Sequence, residues 1–320
     1  MKFSVIIPVF DRPEELGELL QSLTTQRFTD FEVVVIEDGS TLDSSSVVEE
    51  FRDKFPIQYL VQSNTGQGFA RNNGMKIAQA DFFVILDSDV ILPQDYLLRL
   101  SDAIESRNLD AFGGPDASDK DFSSMQKAMD FAMTSFWTTG GIRGKMKDPS
   151  KYQARGFNMG VSRSVFEITG GFVDPNQGED IEWSIRIKKA GFKLELVQEA
   201  FVYHKRKNTL SSFAKQAFSF GRNRVNVSRY HPGAIKLVHW LPTAFLLFSL
   251  SIPLFYFLSH PLFQLSMGVF LIWTLGVILS SSIQNNSAKV GFLSWITSVA
   301  QLWSYGLGLP LELLRKNIKS

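Results

Sequence analysis

"FFVILDSDVILP", residues 82–93, sets five apolar residues ahead of two carboxylates separated by one serine, Asp87-Ser88-Asp89. A short apolar run bounded by acids reads as a buried strand, Phe82–Leu86. The charge at its end needs a positive partner, because an uncompensated carboxylate beside apolar side chains is costly. In an extended chain residues i and i+2 point the same way. Asp87 and Asp89 are therefore expected to aim at one point, with Ser88 facing away. Two hard oxygen donors at one point suit a divalent cation, Mg²⁺ or Mn²⁺. Solvated loop acids are the plainer alternative.

Outward from this stretch, apolar runs alternate with amphipathic ones. Ser4–Phe10, Phe31–Glu37 and Ile57–Gln62 read as further strands. Pro13–Thr25, with proline in its first turn, reads as a helix, as do Ser44–Lys54 after Asp43, Gly68–Gln79 and Pro93–Arg107. Near-continuous apolar strands alternating with helices imply a parallel sheet covered on both faces. Ligands of such sheets gather at the carboxyl ends of strands, where Asp38 and Asp87 fall. Phe122–Trp137, rich in Met and Phe, reads as a core helix or as an amphipathic helix on a membrane surface.

A net charge of +1 gives no global attraction to nucleic acid, and the lack of cysteine excludes disulfides and thiolate metal sites. The average hides two unlike regions. From Leu237 to Ala288 there is no Asp, Glu, Lys or Arg, and a second such run follows Lys289 as far as Leu311. A membrane-spanning helix needs roughly 20 apolar residues. Segments 240–258, 261–283 and 290–310 approach that length, the third being the most polar. Two or three crossings are expected, following a region at 1–236 with two halves, about 1–110 and about 111–236. The N-terminus reads as a strand rather than a cleavable leader, which predicts a cytoplasmic placement for 1–236. Lys236, Lys289 and the basic stretch "YHKRKN", residues 203–208, agree with that orientation, whereas the tail "RKNIKS" conflicts with three full crossings. "QAFSFGRNR", residues 216–224, reads as a basic face meeting lipid head groups.

Five stretches in order carry a resemblance: "SVIIPVFDRPEELGELLQSLTTQ", "DFEVVVIEDGS", "NTGQGFARNNGMKIAQADFFVILDSD", "GFNMGVSRSVFEITGGF" and "GEDIEWSIRIKKAGFKL". Together they resemble the family 2 glycosyltransferases over about residues 1–205. The resemblance implies a GT-A fold, a Rossmann-like mixed α/β sheet with helices on both faces, here with C-terminal transmembrane helices. It implies an inverting, metal-dependent sugar transfer from a nucleotide-sugar, usually a UDP-sugar. Carried over by position, Pro8, Val9, Asp11, Asp38, Arg71, Asp87 and Ser88 would surround the donor. Asp38 would meet the base, Arg71 the nucleotide or its diphosphate, and Asp87 the ribose. Asp89 would ligate Mn²⁺ or Mg²⁺, with His204 as a further metal or phosphate ligand. Many relatives have Tyr-Asn where this chain has Phe10-Asp11, and two aspartates where it has Glu37-Asp38.

Glu179 and Asp180 open the helix of "GEDIEWSIRIKKAG", where the helix dipole alone favours carboxylates. The resemblance gives Asp180 the role of general base, with Glu179 as the near alternative and Glu182 a weaker one. Asn158 and Trp183 fall on the acceptor side. Trp183 shares a helix face with Asp180 and would be either a sugar-stacking wall or core. The expected acceptor is a lipid-linked glycan or glycolipid, since anchoring concentrates a membrane substrate. A polyprenyl phosphate is the alternative acceptor, and a non-catalytic nucleotide-binding membrane scaffold the alternative class.

Overall fold

The protein is described by a computed structural model covering residues 2–117, 122–140, 148–204 and 209–319. The chain divides into two compact units, 1–119 with 147–205 and 120–146 with 206–320.

The first unit opens with β1 (Phe3–Val9), α1 (Pro13–Thr24), β2 (Phe31–Asp38), α2 (Ser45–Glu49), β3 (Ile57–Gln62), α3 (Gln67–Ile77) and β4 (Phe82–Leu86). Next come β5 (Val90–Ile91), α4 (Tyr96–Arg107), β6 (Ala111–Gly113) and β7 (Asp116–Ala117). The chain then supplies α5 (Ser124–Thr134) and α6 (Phe136–Thr139) to the second unit. It returns with β8 (Asn158–Ser162), α7 (Arg163–Thr169), α8 (Glu179–Lys189), β9 (Leu194–Leu196) and β10 (Val202–His204).

Seven strands form one sheet in the order β3-β2-β1-β4-β8-β6-β9, and β5-β10-β7 form a small second sheet. The first four are mutually parallel, in keeping with strand–helix alternation. β8 then enters antiparallel between β4 and β6, making the sheet mixed. Every residue of β1, β2 and β4 is buried. Successive side chains serve opposite faces. Phe3, Val5, Ile7, Val33, Val35 and Val84 meet Leu16, Leu19, Leu20, Leu97 and Leu100 on one face. Ile6, Val34, Ile36, Phe83 and Ile85 meet Ala70, Met75, Val165, Trp183 and Ile187 on the other. Burying each such Val, Leu or Ile contributes about 1.5–3 kcal/mol, which is why strands covered twice tolerate so few polar residues.

Two helices are shorter than the sequence pattern predicts. The helix expected at Ser44–Lys54 is regular only over α2, after which successive turns tuck Phe51 and Phe55 beneath β2. The helix expected from Pro93 starts at Tyr96, because Pro93 and Gln94 give their carbonyl oxygens to the Gln26 side chain and the Arg27 amide.

The second unit continues with α9 (Leu210–Tyr230), α10 (Leu241–Leu258), α11 (His260–Asn285) and α12 (Ala288–Lys319). Leu237–Leu258 and His260–Asn285 are each long and apolar enough, by length and composition, to cross a membrane. α10 and α11 form an antiparallel hairpin broken only at Ser259, with Phe245 against Trp273 and Tyr256 against Phe263. The Met-rich stretch forms α5, which starts with a capping box between Ser123 and Gln126. It buries Met129, Ala132 and Met133 with Phe213 of α9. Both α5 and α9 also pack on α12.

Candidate active site

The parallel strands deliver their ends to one edge of the sheet. β1 and β2 run in register to Val9 opposite Glu37, and β2 and β3 to Asp38 opposite Gln62. β4 stops at Leu86, immediately before Asp87. Pro8 and Val9 are buried in the last turn of β1, while Phe10 stands about half exposed at the rim.

Arg71 organises the centre. It lies in the middle of α3, is 1% exposed, and donates from Nη2 to Asp87 Oδ1 over 2.6 Å and from Nη1 to Glu179 Oε1 over 3.3 Å. Its guanidinium passes so close to Gly156 that a Cβ there would collide with both terminal nitrogens. The Gly156 amide in turn donates to Asp180 Oδ2 over 3.2 Å. Arg71, Asp87, Glu179 and Asp180 thus form one cluster spanning β4, α3 and α8. Gln67 joins it, donating to Glu179 Oε1 over 2.7 Å.

Glu179 and Asp180 sit in the first turn of α8, where the dipole favours them, and Arg186, Lys188 and Lys189 complement its last turn. Burial pushes the Glu179 carboxyl up to about 7, and the Asp180 charge adds to this against the pull of Arg71. Asp180 is less buried, and its second oxygen, Oδ1, accepts from the Ile181 amide over 2.7 Å.

Asp87 and Asp89 form ion pairs with different arginines. The strand stops at Leu86 and the chain turns at Ser88 and Asp89, so the extended-chain expectation fails there. Asp87 pairs with Arg71, and Asp89 pairs with Arg12 from the loop after β1. Two arginines therefore meet the two carboxylates. Ser88 between them is buried.

Asp11 and Asp38 turn their carboxylates to neighbouring backbone. Asp11 takes a φ of 52°, uncommon for a non-glycine residue. Its Oδ1 accepts from the Thr41 amide at 2.6 Å and the Leu42 amide at 2.9 Å. Asp38, 3% exposed, accepts from the Thr65 amide at 2.9 Å, the Gly66 amide at 2.9 Å and the Gln62 side chain at 2.8 Å. Glu37 does similar work, accepting from the Ser44 amide at 2.9 Å and the Tyr59 hydroxyl at 3.0 Å. Burial and the Glu37 carboxylate push that phenol up to about 12. These acids shape the loops 39–44 and 62–66 that flank the strand ends.

The two residues expected on the acceptor side lie within the wall. Trp183 is wholly buried, stacked edge-on to Phe172 and donating from its indole to Thr169 Oγ1 over 2.7 Å. Asn158 is wholly buried too, accepting from Tyr96 and donating to the Ala200 carbonyl. Neither presents a surface for a sugar: the helical spacing that aligns Trp183 with Asp180 also directs its ring into the core.

His204 ends β10, where its backbone pairs with Val90, one residue beyond Asp89. Its imidazole lies outside the described residues. Among the described residues no three His, Asp or Glu side chains converge as a metal cage. The donor set nonetheless fits a hard cation that takes most of its ligands from a substrate: carboxylate oxygens at 87 and 89, and a strand that brings residue 204 alongside. Arg12, Gln67 and Gly156 had no role assigned from the sequence, although each falls inside one of the five resembling stretches.

The family model described as "Glycosyl transferase family 2" matches residues 4–169. The poly(ribitol-phosphate) beta-N-acetylglucosaminyltransferase TarS of Staphylococcus aureus (strain Mu50 / ATCC 700699) is 36% identical over 114 residues, 34% of this chain and 20% of TarS. The chain thus spans only a fifth of that relative. The glycosyltransferase AglE of Haloferax volcanii is 24% identical over 231 residues, 70% of this chain and 73% of AglE. Among solved structures, a mannosyltransferase from Pyrobaculum calidifontis, in complex with GDP-Man and Mn²⁺, superimposes with a TM-score of 0.64. The alignment is 15% identical and covers 98% of this chain and 88% of that one, a likeness of fold. With the family model covering more than half of the chain, the GT-A fold in place and the relatives all glycosyltransferases, this chain belongs to glycosyl transferase family 2.

Proposed function

We propose that the protein catalyses inverting transfer of a sugar from a nucleotide-sugar, a UDP-sugar in the first instance, to a lipid-linked glycan or glycolipid. The reaction is placed at the cytoplasmic face of a membrane that holds the apolar helices. The observation that supports this reading above others is the Arg71 bridge. It joins Asp87, at the strand ends where a nucleotide would lie, to Glu179, beside the carboxylate best placed to act as base.

The donor would occupy the strand ends between the loops held by Asp11 and Asp38, with Pro8, Val9 and Ser88 as the floor. Asp180, less buried than Glu179 and steadied by the Gly156 amide, would take the proton of the acceptor hydroxyl. Glu179, its carboxyl pushed up to about 7, would be protonated part of the time near neutrality and so lessen the negative charge beside that base. Trp183 and Asn158 would support the acceptor side from behind. Arg12 and Arg71 bring positive charge to the end of the cleft where a diphosphate would leave. A divalent cation, Mn²⁺ or Mg²⁺, held by Asp89 and His204 with diphosphate oxygens, would supply further charge stabilisation there when bound.

The test is incubation of membranes carrying the protein with radiolabelled UDP- and GDP-sugars, followed by lipid extraction. Label should enter the lipid fraction with one donor and fail to do so with Asp180→Asn. Label confined to a lipid monophosphate product would favour the polyprenyl-phosphate acceptor. No transfer from any donor, with nucleotide binding intact, would favour the scaffold.

A further inference from the structure

The net charge of +1 is a balance of opposites. Residues 205–320 carry twelve Lys and Arg against one acidic residue, Glu312, a formal charge of +11. Glu312 is buried and engaged by Arg222 and Arg229 of α9 at 2.9 and 2.8 Å. The surface of this region is therefore basic. None of its charges falls between Leu237 and Ala288, so the tip of the α10–α11 hairpin at Ser259 carries none. Lys236 and Lys289 flank the open end of that hairpin.

α12 follows α11, and a third crossing would run back along α11 toward the tip. Its contacts lead elsewhere. Gly291 packs against Ser282 and Ile278, and Ser294 shares a 2.7 Å hydrogen bond with Ser281, all near the end of α11. Fifteen residues later, about 22 Å along the helix, Gly306 packs against Pro242 in the first turn of α10. Thr243 donates to the Gly306 carbonyl over 2.9 Å. A helix running down α11 would by then lie beside the tip. α12 instead passes from the end of α11 to the first half of α10, where the Trp303 indole also donates to Ser249 Oγ over 3.0 Å.

Its outer face is apolar, while its buried face mixes Val290, Leu302 and Leu309 with polar residues. Phe292, Trp303, Leu307, Leu311 and Leu314 are exposed, while Ser294, Thr297, Ser298 and Glu312 are buried. The exposed residues fall at spacings that place them within an arc of about 100°. The buried face packs on α5, where Thr297 donates to the Ala128 carbonyl, and on α9, where Gly221 meets Tyr305 and Leu309. An apolar outer stripe beside basic residues is the pattern of a helix seated in a bilayer interface.

We propose that α12 lies in the plane of an anionic membrane surface, across the open end of a two-crossing hairpin, with its apolar stripe in the lipid. Arg222, Arg229, Lys236, Lys289, Arg315 and Lys316 then share one side, which removes the conflict that the basic tail poses for three crossings. The inference rests on the reading that the hairpin enters the bilayer.

The chain has no cysteine, so single-cysteine variants report single places. Phe292→Cys, Trp303→Cys, Leu307→Cys and Leu314→Cys on α12, and Leu254→Cys near the tip, would carry an environment-sensitive fluorophore. The full-length protein is reconstituted in phosphatidylglycerol-containing vesicles. Quenchers are lipids spin-labelled at shallow or deep acyl positions, and aqueous iodide. Stronger quenching by shallow than by deep spin labels is expected at all four α12 positions, with the reverse at 254. Deep quenching at 303 and 307 with shallow quenching at 292 and 314 means a crossing helix and overturns the proposal. Shielding of 303 and 307 from both lipid and iodide means a protein partner on the stripe and also overturns it. Iodide quenching at 254 without lipid quenching would instead show that the anchoring reading fails, and the inference with it.

Discussion

Arg71 Nη2 lies 2.6 Å from Asp87 Oδ1, and this contact makes a residue of α3 part of the strand-end motif that follows β4. The guanidinium is buried and also faces Glu179, so its removal leaves two acids without their cation. Breaking a buried pair by deleting one partner costs about 3–5 kcal/mol. Arg71→Met is expected to destabilise the protein by about 3 kcal/mol or more and to abolish UDP binding. Arg71→Lys should recover part of the stability but not the bridge, since one ammonium lacks the planar fork. Thermal melting and nucleotide titration in detergent check both.

Glu179 makes stability pH-dependent in a stated direction. Its folded value, about 7, lies above the ordinary 4.5, chiefly through burial. Between those values the folded state holds more protons than the unfolded one, so stability falls as pH rises through this window. The whole effect is on the order of 3 kcal/mol. Glu179→Gln removes the titrating group, and the melting temperature of the variant should fall less than that of the parent between pH 5 and 8. Equal slopes would contradict the raised value.

The apolar strands and the acids at their ends could be read from the chain because a doubly covered strand leaves an unbroken apolar run. The sequence singles out Asp87, Arg71, Glu179 and Asp180 one by one but does not join them into a network. One ion pair, Arg71 with Glu179, joins positions more than a hundred residues apart, and the space for Arg71 depends on Gly156 lacking a side chain. Local rules failed where tertiary contacts override them. The turn at Ser88 ends the two-residue periodicity that would align Asp87 with Asp89. Trp183 obeys helical spacing, yet Thr169 and Phe172 hold it inward. The packing of α5 with α9 joins segments roughly 80 residues apart, which no window along the chain detects.

Trp183 separates a structural tryptophan from a sugar platform. Trp183→Phe keeps an aromatic ring against Phe172 and loses the hydrogen bond to Thr169, a cost of about 1–2 kcal/mol. Melting temperature should drop while the KM for acceptor stays within twofold. A large rise in acceptor KM without loss of stability would place the ring at the sugar after all.

Asp38 is expected to act through its loop. Asp38→Ala removes the acceptor of the Thr65 and Gly66 amides and one of two acceptors of the Gln62 side chain, at about 1–3 kcal/mol for the buried Gly66 donor left unsatisfied. Nucleotide affinity should fall together with hydrogen-exchange protection of residues 62–66. Lost affinity with unchanged protection would mean that the carboxylate meets the nucleotide directly.

Asp180 carries the sharpest test of the assigned chemistry. Asp180→Asn keeps the shape of the side chain and can still meet the Gly156 amide through its carbonyl oxygen. It cannot take a proton. Turnover should fall by about 10²–10⁴-fold, while the dissociation constant for UDP stays near that of the parent, because Arg71 and Asp87 remain paired. The neighbouring charge that helps to raise Glu179 also disappears, so that carboxyl should titrate lower in the variant. The two readouts separate the roles. Lost turnover with a lowered Glu179 titration supports Asp180 as the base. Retained turnover that rises with ionisation of a group titrating below the value of Glu179 in the parent would transfer that role to Glu179.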